Sequence, residues 1–203
     1  MSDVTLIDYG AGNLASLSAG LRRLGASTRV TSDPAEVTAA RRLVLPGVGA
    51  AAPAMAQLRA RGLDRAIDEA VADGAALLGI CLGLQLLFDQ SAEGDTPCLG
   101  LIEGRSVAID WSQRLPHMGW NDVRATNGHA LAEPLPAVCY FAHSYVVEPA
   151  DARTAVAETD LDGTSFTCLA SSGRVAGAQF HPEKSGAGGR AFLERWIEWA
   201  DAA

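Results

Sequence analysis

Apolar positions in the first half of the chain alternate between two rhythms. Residues 4–9 form a near-continuous apolar run of strand length, interrupted by Asp8. After the loop Gly10-Ala11-Gly12-Asn13, Leu14, Leu17, Leu21 and Leu24 recur at helical spacing, and Gly25 stands where a helix C-terminal cap belongs. Residues 27–31 predict a second strand and Asp33-Pro34 the start of a short helix. Residues 42–45 predict a third strand, running into Pro46-Gly47-Val48-Gly49. Helical patterns cover 53–61 and 63–73, and after Gly74 the apolar run 77–88 reads as a strand that enters a helix at Cys81. Strands alternating with helices imply a parallel sheet covered on both faces. Ligands on such sheets sit beyond the carboxyl ends of the strands, and Asn13, Val48 and Cys81 all fall there.

The second half changes rhythm. Short β runs at 106–109, 138–147, 154–157 and 164–170 are separated by turn residues, which predicts antiparallel strands added to the parallel core. Asn127-Gly128 and Asp162-Gly163 are expected as hairpin turns. Residues 175–180 read as a last strand ending at His181-Pro182-Glu183-Lys184, and 191–199 as a closing helix anchored by Phe192, Trp196 and Trp199. No repeat, low-complexity tract or linker interrupts the chain. The expectation is therefore one α/β domain over residues 1–203. It has a mostly parallel central sheet, helices on both faces and antiparallel additions.

Composition narrows the partners more than the fold. A net charge of −8 argues against a nucleic-acid surface or an anionic membrane, both of which want basic patches. The longest apolar stretch is too short to cross a bilayer. Four cysteines without a C-x-x-C pair argue against a zinc knuckle or a dithiol centre, and no metal or cofactor is expected. The first residues carry no basic leader region, so a cytoplasmic chain with free thiols is the expectation. Gly10-Ala11-Gly12 after a strand invites a dinucleotide-binding reading, but the third glycine and the later acidic residue are missing. An interaction loop fits better.

The candidate chemistry lies in Gly79-Ile80-Cys81-Leu82-Gly83, which has the Gly-x-nucleophile-x-Gly pattern of a strand-to-helix elbow. Glycines let the backbones approach where a Cβ would block them. Cys81 would sit at the tip of the turn, where the next helix's free N–H groups and dipole favour a thiolate. Taken alone, the pentapeptide equally fits a small buried cysteine. A cysteine nucleophile needs a base and a third group to orient it. Of His117, His129, His143 and His181, the last is the strongest candidate, because Glu183 follows two residues later. In extended chain i and i+2 project to the same side, and Pro182 keeps its predecessor extended. Cys81, His181 and Glu183 thus make a triad by role. The N–H of Leu82 and the loop at Pro46-Gly47-Val48-Gly49 are the candidate oxyanion donors, although that loop could equally be an ordinary tight turn.

Gly79-Ile80-Cys81-Leu82-Gly83 with Gln85, and Gln179-Phe180-His181-Pro182-Glu183, resemble the class I (triad-type) glutamine amidotransferases. Asp8 to Asn13, Pro46 to Gly49, Pro116-His117-Met118-Gly119-Trp120-Asn121 and Lys184-Ser185 narrow the resemblance to the branch serving histidine biosynthesis. The resemblance implies a glutaminase that splits L-glutamine into glutamate and ammonia through Cys81, His181 and Glu183. It implies Val48 and Leu82 as backbone oxyanion donors, and Gly49, Gln85, Ser144 and Tyr145 as the residues that hold glutamine. His143 becomes a wall of the glutamine site. Asn13, His117, Trp120, Asn121, Tyr140 and Lys184 match positions facing a separate (β/α)₈-barrel cyclase, which would receive the ammonia and build imidazole glycerol phosphate. Leu84, Ala50-Ala51 and Val146 depart from residues common in that branch, and none of them touches the triad. Two other readings stay open. One is a glutaminase serving another synthase. The other is a non-catalytic module whose Cys81 senses oxidants, which leaves the His181–Glu183 pair unexplained.

Overall fold

The computed structural model describes residues 3–132 and 137–202. Its first half runs β1 (Asp3–Ile7), α1 (Leu14–Arg23), β2 (Ser27–Thr31), α2 (Pro34–Thr38), β3 (Arg42–Gly47), α3 (Ala51–Ala60), α4 (Leu63–Ala72), β4 (Ala76–Cys81) and α5 (Leu82–Leu86). Then follow β5 (Phe88–Ser91), β6 (Thr96–Pro97), β7 (Ile102–Ala108), β8 (His117–Asp122), β9 (Arg124–Ala125) and β10 (Val138–His143). The chain closes with β11 (Tyr145–Pro149), β12 (Ala155–Leu161), β13 (Thr164–Ser172), β14 (Val175–Ala178) and α6 (Gly186–Ala202).

Local chemistry accounts for several boundaries. Asn13 caps α1 by accepting a hydrogen bond from the Ser16 N–H at 3.4 Å, and Asp33 caps α2 through the Ala35 N–H at 2.9 Å. Gly25 leaves α1 at φ +83°, where glycine carries no Cβ penalty. β4 is buried at all six positions, as a central parallel strand covered on both faces must be. Leu43, Leu45 and Leu77 point into one apolar layer with α3 and α4. Their neighbours Val44, Leu78 and Ile80 point into the other, with α1 and α6. That alternation makes the sheet the middle layer of three.

The main sheet runs β2-β1-β3-β4-β14 in parallel, then β13, β11 and β7 antiparallel, with β5 and β6 at the far edge. β8 and β10 form a separate antiparallel pair. The expected α/β class with antiparallel additions is what the chain adopts. No helix among the described residues is long and apolar enough to cross a membrane.

Four local expectations change. The run after Cys81 is helical only to Leu86, and Phe88 opens β5. Residues 138–147 break at Ser144, because β10 pairs with β8 while β11 crosses to β7 in the main sheet. β8 was not expected, since His-Met-Gly-Trp-Asn-Asp has no apolar alternation although its burial alternates. Asn127-Gly128 is no hairpin turn: β9, just before it, pairs with β12. Asp162-Gly163 is one, with both residues at positive φ (51° and 86°) between paired β12 and β13.

At the carboxyl end of β4, backbones meet with no room for side chains. A Cβ on Gly83 would lie 1.9 Å from the Leu45 carbonyl oxygen, and one on Gly47 would lie 2.6 Å from the Gly83 nitrogen. Gly83→Ala is therefore expected to destabilise the fold by about 3 kcal/mol or more. Gly128→Ala, with open space around it, should leave stability within about 0.5 kcal/mol. Urea denaturation of both variants checks the contrast, and equal midpoints would contradict the close approach.

Candidate active site

Cys81 ends β4 and caps α5 at φ +55° and ψ −110°. A non-glycine residue in that region carries about 1–3 kcal/mol of strain, which the glycine-mediated contacts around it sustain. Register places its neighbours. Gly47 of β3 pairs with Cys81 on one side, so the Val48-Gly49 loop leaves the sheet beside the sulfur. Ala178 of β14 pairs with Ile80 on the other, so residues 179–181 leave the sheet there too. α5 has only five residues. Its contribution at Cys81 is thus the unpaired N–H of its first turn rather than a long helix dipole.

These segments enclose a cleft of about 360 Å³ with Cys81, Leu82 and His181 along it. Val48 and Gly49, Gln85 with the 142–145 segment as a further wall, and Glu93, Pro116 and Lys184 complete its lining. Val48 is 47% exposed and Gly49 sits at φ +91°. Among the described residues no cluster of His, Cys, Asp and Glu could hold a metal ion.

His181 is buried, with its Nδ1 3.0 Å from Glu183 Oε1, and it lines the same cleft as Cys81. Burial pulls its pKa down. Hydrogen bonds to Cys81 and Glu183, and the charges on both, outweigh that and raise it to about 9. The ring is an imidazolium at neutral pH, beside the sulfur. The expected His–Glu contact forms by a different route from the one the spacing suggests. Pro182–Lys184 is a 3₁₀ turn, and Glu183 reaches back from it rather than along an extended strand. Ser185 fastens the turn: its Oγ–H donates to the His181 carbonyl at 2.7 Å, and its oxygen accepts the Tyr140 N–H at 2.9 Å. The sequence places Ser185 in a motif of the resemblance but gives it no role.

The wall of Gln85 and residues 142–145 is organised by the Tyr145 carbonyl. It accepts from Gln85 Nε2 at 3.1 Å and from His143 Nδ1 at 2.9 Å. His143 Nε2 faces His117 Nδ1 at 3.0 Å, and His117 Nε2 meets Asn121 Oδ1 at 2.9 Å. Burial, then the charge of His117, pushes the pKa of His143 down to about 3, so it is neutral at physiological pH. This supports a wall residue and argues against a base. Gln179, which sequence reasoning gave no role, is fully buried, with its Oε1 3.2 Å from Gln85 Nε2 and its Nε2 3.7 Å from Cys81 Sγ.

The six positions matched to a partner surface separate into two groups. Trp120 (57% exposed) packs edge-on against Tyr140 at 5.9 Å, and Lys184 Nζ lies 5.5 Å from the Tyr140 ring, in a stripe running to the cleft. Asn13 lies at the end of α1 that follows β1. His117 and Asn121 are turned the other way. His117 is 4% exposed and hydrogen-bonded within the chain, and Asn121 Nδ2 donates to the Asp160 carbonyl at 2.5 Å. On a strand, alternate residues face opposite sides, so it is Met118 (63% exposed) and Trp120 that face outward. His117 and Asn121, matched to the partner-facing positions, instead line a neighbouring surface cavity together with Asp160. His129 is half-buried against Trp199 at 6.1 Å, away from the cleft.

Comparison with known proteins agrees with this architecture. The family model for class-I glutamine amidotransferase matches residues 5–199. The chain is 43% identical over 200 residues to the imidazole glycerol phosphate synthase subunit HisH of Dehalococcoides mccartyi, covering 97% of each chain. It is 45% identical over 202 residues to the HisH subunit of Xanthomonas axonopodis pv. citri, covering 98% of each. A solved structure of a glutamine amidotransferase superposes with a TM-score of 0.75 at 19% identity, covering 98% of this chain and 99% of that one.

The two shifted histidines predict opposite stability slopes. His181, raised from 6.5 to about 9, stabilises the fold fully below its unfolded value, and that contribution is lost as pH climbs through 9. His143, lowered from 6.5 to about 3, contributes above 6.5, and its contribution is lost as pH falls toward 3. The Tm difference between the parent and His181→Asn should therefore shrink from pH 7 to pH 10. The difference between the parent and His143→Asn should shrink from pH 7 to pH 4. Differences independent of pH would contradict these assignments.

Proposed function

The chain belongs to the class-I glutamine amidotransferases, within the branch of the HisH subunits of imidazole glycerol phosphate synthase, and from that premise we propose how its cleft works. The substrate is L-glutamine, held by Gly49, Gln85, Ser144 and Tyr145 with its side-chain carboxamide toward Cys81. The Cys81 sulfur attacks the carboxamide carbon. The carbonyl oxygen gains negative charge, which the N–H of Leu82 and that of Val48 stabilise. His181, charged at neutral pH, delivers a proton to the departing nitrogen, and ammonia leaves behind a glutamyl thioester. The now neutral ring takes a proton from water, whose oxygen attacks the thioester to release glutamate and restore Cys81. Glu183 holds the ring's Nδ1–H throughout and compensates the imidazolium.

The observation that supports this reading most directly is the His181 ring, held by Glu183 and lining one cleft of ligand size together with Cys81. A thiol sensor would need neither Glu183 nor the pocket.

Ammonia in bulk water is mostly ammonium at neutral pH and is then no nucleophile, so it serves synthesis only if it reaches an acceptor site shielded. We assign the acceptor to a (β/α)₈-barrel cyclase subunit that builds imidazole glycerol phosphate. It docks on the exposed stripe of Trp120, Tyr140 and Lys184, with Asn13 at the neighbouring strand end. Interface energy concentrates in such aromatic anchors.

Cys81→Ala is expected to lower glutamine hydrolysis by about 10³-fold or more, while the complex with the cyclase still uses free ammonia. Hydrolysis that survives in Cys81→Ala would exclude the mechanism. Glutamate release by the parent should rise when the cyclase and its ribonucleotide ligand are added. Trp120→Ala should weaken the complex by about tenfold or more in calorimetry, whereas Val30→Ala, an exposed apolar residue on β2, should leave it unchanged.

A further inference from the structure

We propose that Gln179 is a further catalytic residue, a fixed hydrogen-bond donor that holds negative charge on the Cys81 sulfur. The proposal rests on the glutaminase reading above and adds a group to its site. The orientation of an amide follows from what surrounds it. The Tyr145 carbonyl is an acceptor and nothing else, so the group Gln85 turns toward it at 3.1 Å is its NH₂. The same NH₂ lies 3.2 Å from the other glutamine side chain, which must therefore present its oxygen there. With Oε1 of Gln179 committed to Gln85, its Nε2 faces Cys81 Sγ at 3.7 Å. One carbonyl thus sets the direction of the whole chain: Tyr145 accepts from Gln85, Gln85 donates to Gln179, and Gln179 donates to the sulfur.

Burial makes this direction consequential. Gln179 is fully buried, so its N–H has no water to fall back on. A neutral thiol is a weak acceptor and a thiolate a strong one, so a donor aimed at the sulfur favours the charged form. The Ala142 carbonyl, also 3.7 Å from Sγ, acts in the other direction, because it can accept the thiol proton. Gln179 opposes it, and His181 lines the same cleft as the sulfur. Gln179 and His181 come from the stretch leaving β14, two residues apart, while Phe180 between them turns into the core. An amide suits the position because it brings a donor without adding a charge to a site that already holds His181 and Glu183.

The test uses Gln179→Leu, which removes the donor, and Gln179→Glu, which faces the sulfur with oxygen. Folding of each is checked by circular dichroism and Tm, and Gln179→Met replaces the leucine variant if that does not fold. Alkylation of Cys81 by iodoacetamide, located by peptide mapping, requires no glutaminase activity. At pH 7 it is expected to slow by about three- to tenfold in Gln179→Leu and further in Gln179→Glu, with the gap closing at alkaline pH. In the complex with the cyclase, kcat for glutamine should fall by a similar factor while KM moves less than about twofold. Equal alkylation rates at pH 7 in parent and folded variants would overturn the proposal, and so would a change confined to KM. Slower alkylation in a chain with no glutaminase activity would uphold Gln179 as donor and remove the proposed reaction instead.

Discussion

The site depends on one steric constraint, the contact between the end of β3, the end of β4 and the start of α5. Where these three backbones meet, Gly47, Gly79 and Gly83 leave no space for a Cβ. The chain therefore turns from strand to helix within a single residue. Cys81 occupies that residue at a positive φ that a relaxed chain would avoid. The strain and the exposure of the sulfur to the cleft have the same origin. A looser junction would bury the thiol among the leucines that follow it.

A second constraint is directional. The wall facing the elbow is built on a carbonyl whose two lone pairs both accept, from Gln85 and from His143. Along the glutamine branch donors and acceptors then have no freedom. One branch runs through Gln85 and Gln179 to the sulfur, and the other through His143 and His117 to Asn121. Buried polar groups in such a chain stay satisfied only together, so the wall behaves as one unit. His143 stays neutral within it while His181, a few residues of sheet away, carries charge. Burial acts on both rings in the same sense, and the difference between them is whether an anionic partner answers it.

The β8–β10 pair links this wall to the outer surface. Alternation along β8 sends His117 and Asn121 inward to the hydrogen-bonded chain and Met118 and Trp120 outward. A strand so divided carries the proposed docking surface on one side and touches the cleft-lining His143 on the other. The break at Ser144 has a similar effect, because the chain leaves one sheet for the other there and residues 142–145 line the cleft.

Much of this was legible from residue order alone, because it rests on local rules. The 2.0 and 3.6 periods place β1 to β4 and α1 to α4 within a residue or two, and Gly79 and Gly83 mark the elbow. The spacing of Glu183 from His181 marks the pair, although a 3₁₀ turn and not an extended strand brings them together. Asp162-Gly163 reads correctly because a two-residue turn needs both residues at positive φ, and Asn127-Gly128 misleads because the strand before it pairs with β12 instead of folding back on the segment that follows. What residue order could not supply is the pairing of distant segments. The length of the helix after Cys81, the strand at 117–122, the inward side of His117 and the aim of Gln179 at the sulfur each depend on which strand lies alongside. Gln85 lies 60 residues from Tyr145 and Cys81 lies 98 from Gln179, and only folding brings them together. Side-chain type and spacing are local properties of a chain, whereas the direction of a buried hydrogen bond belongs to its surroundings.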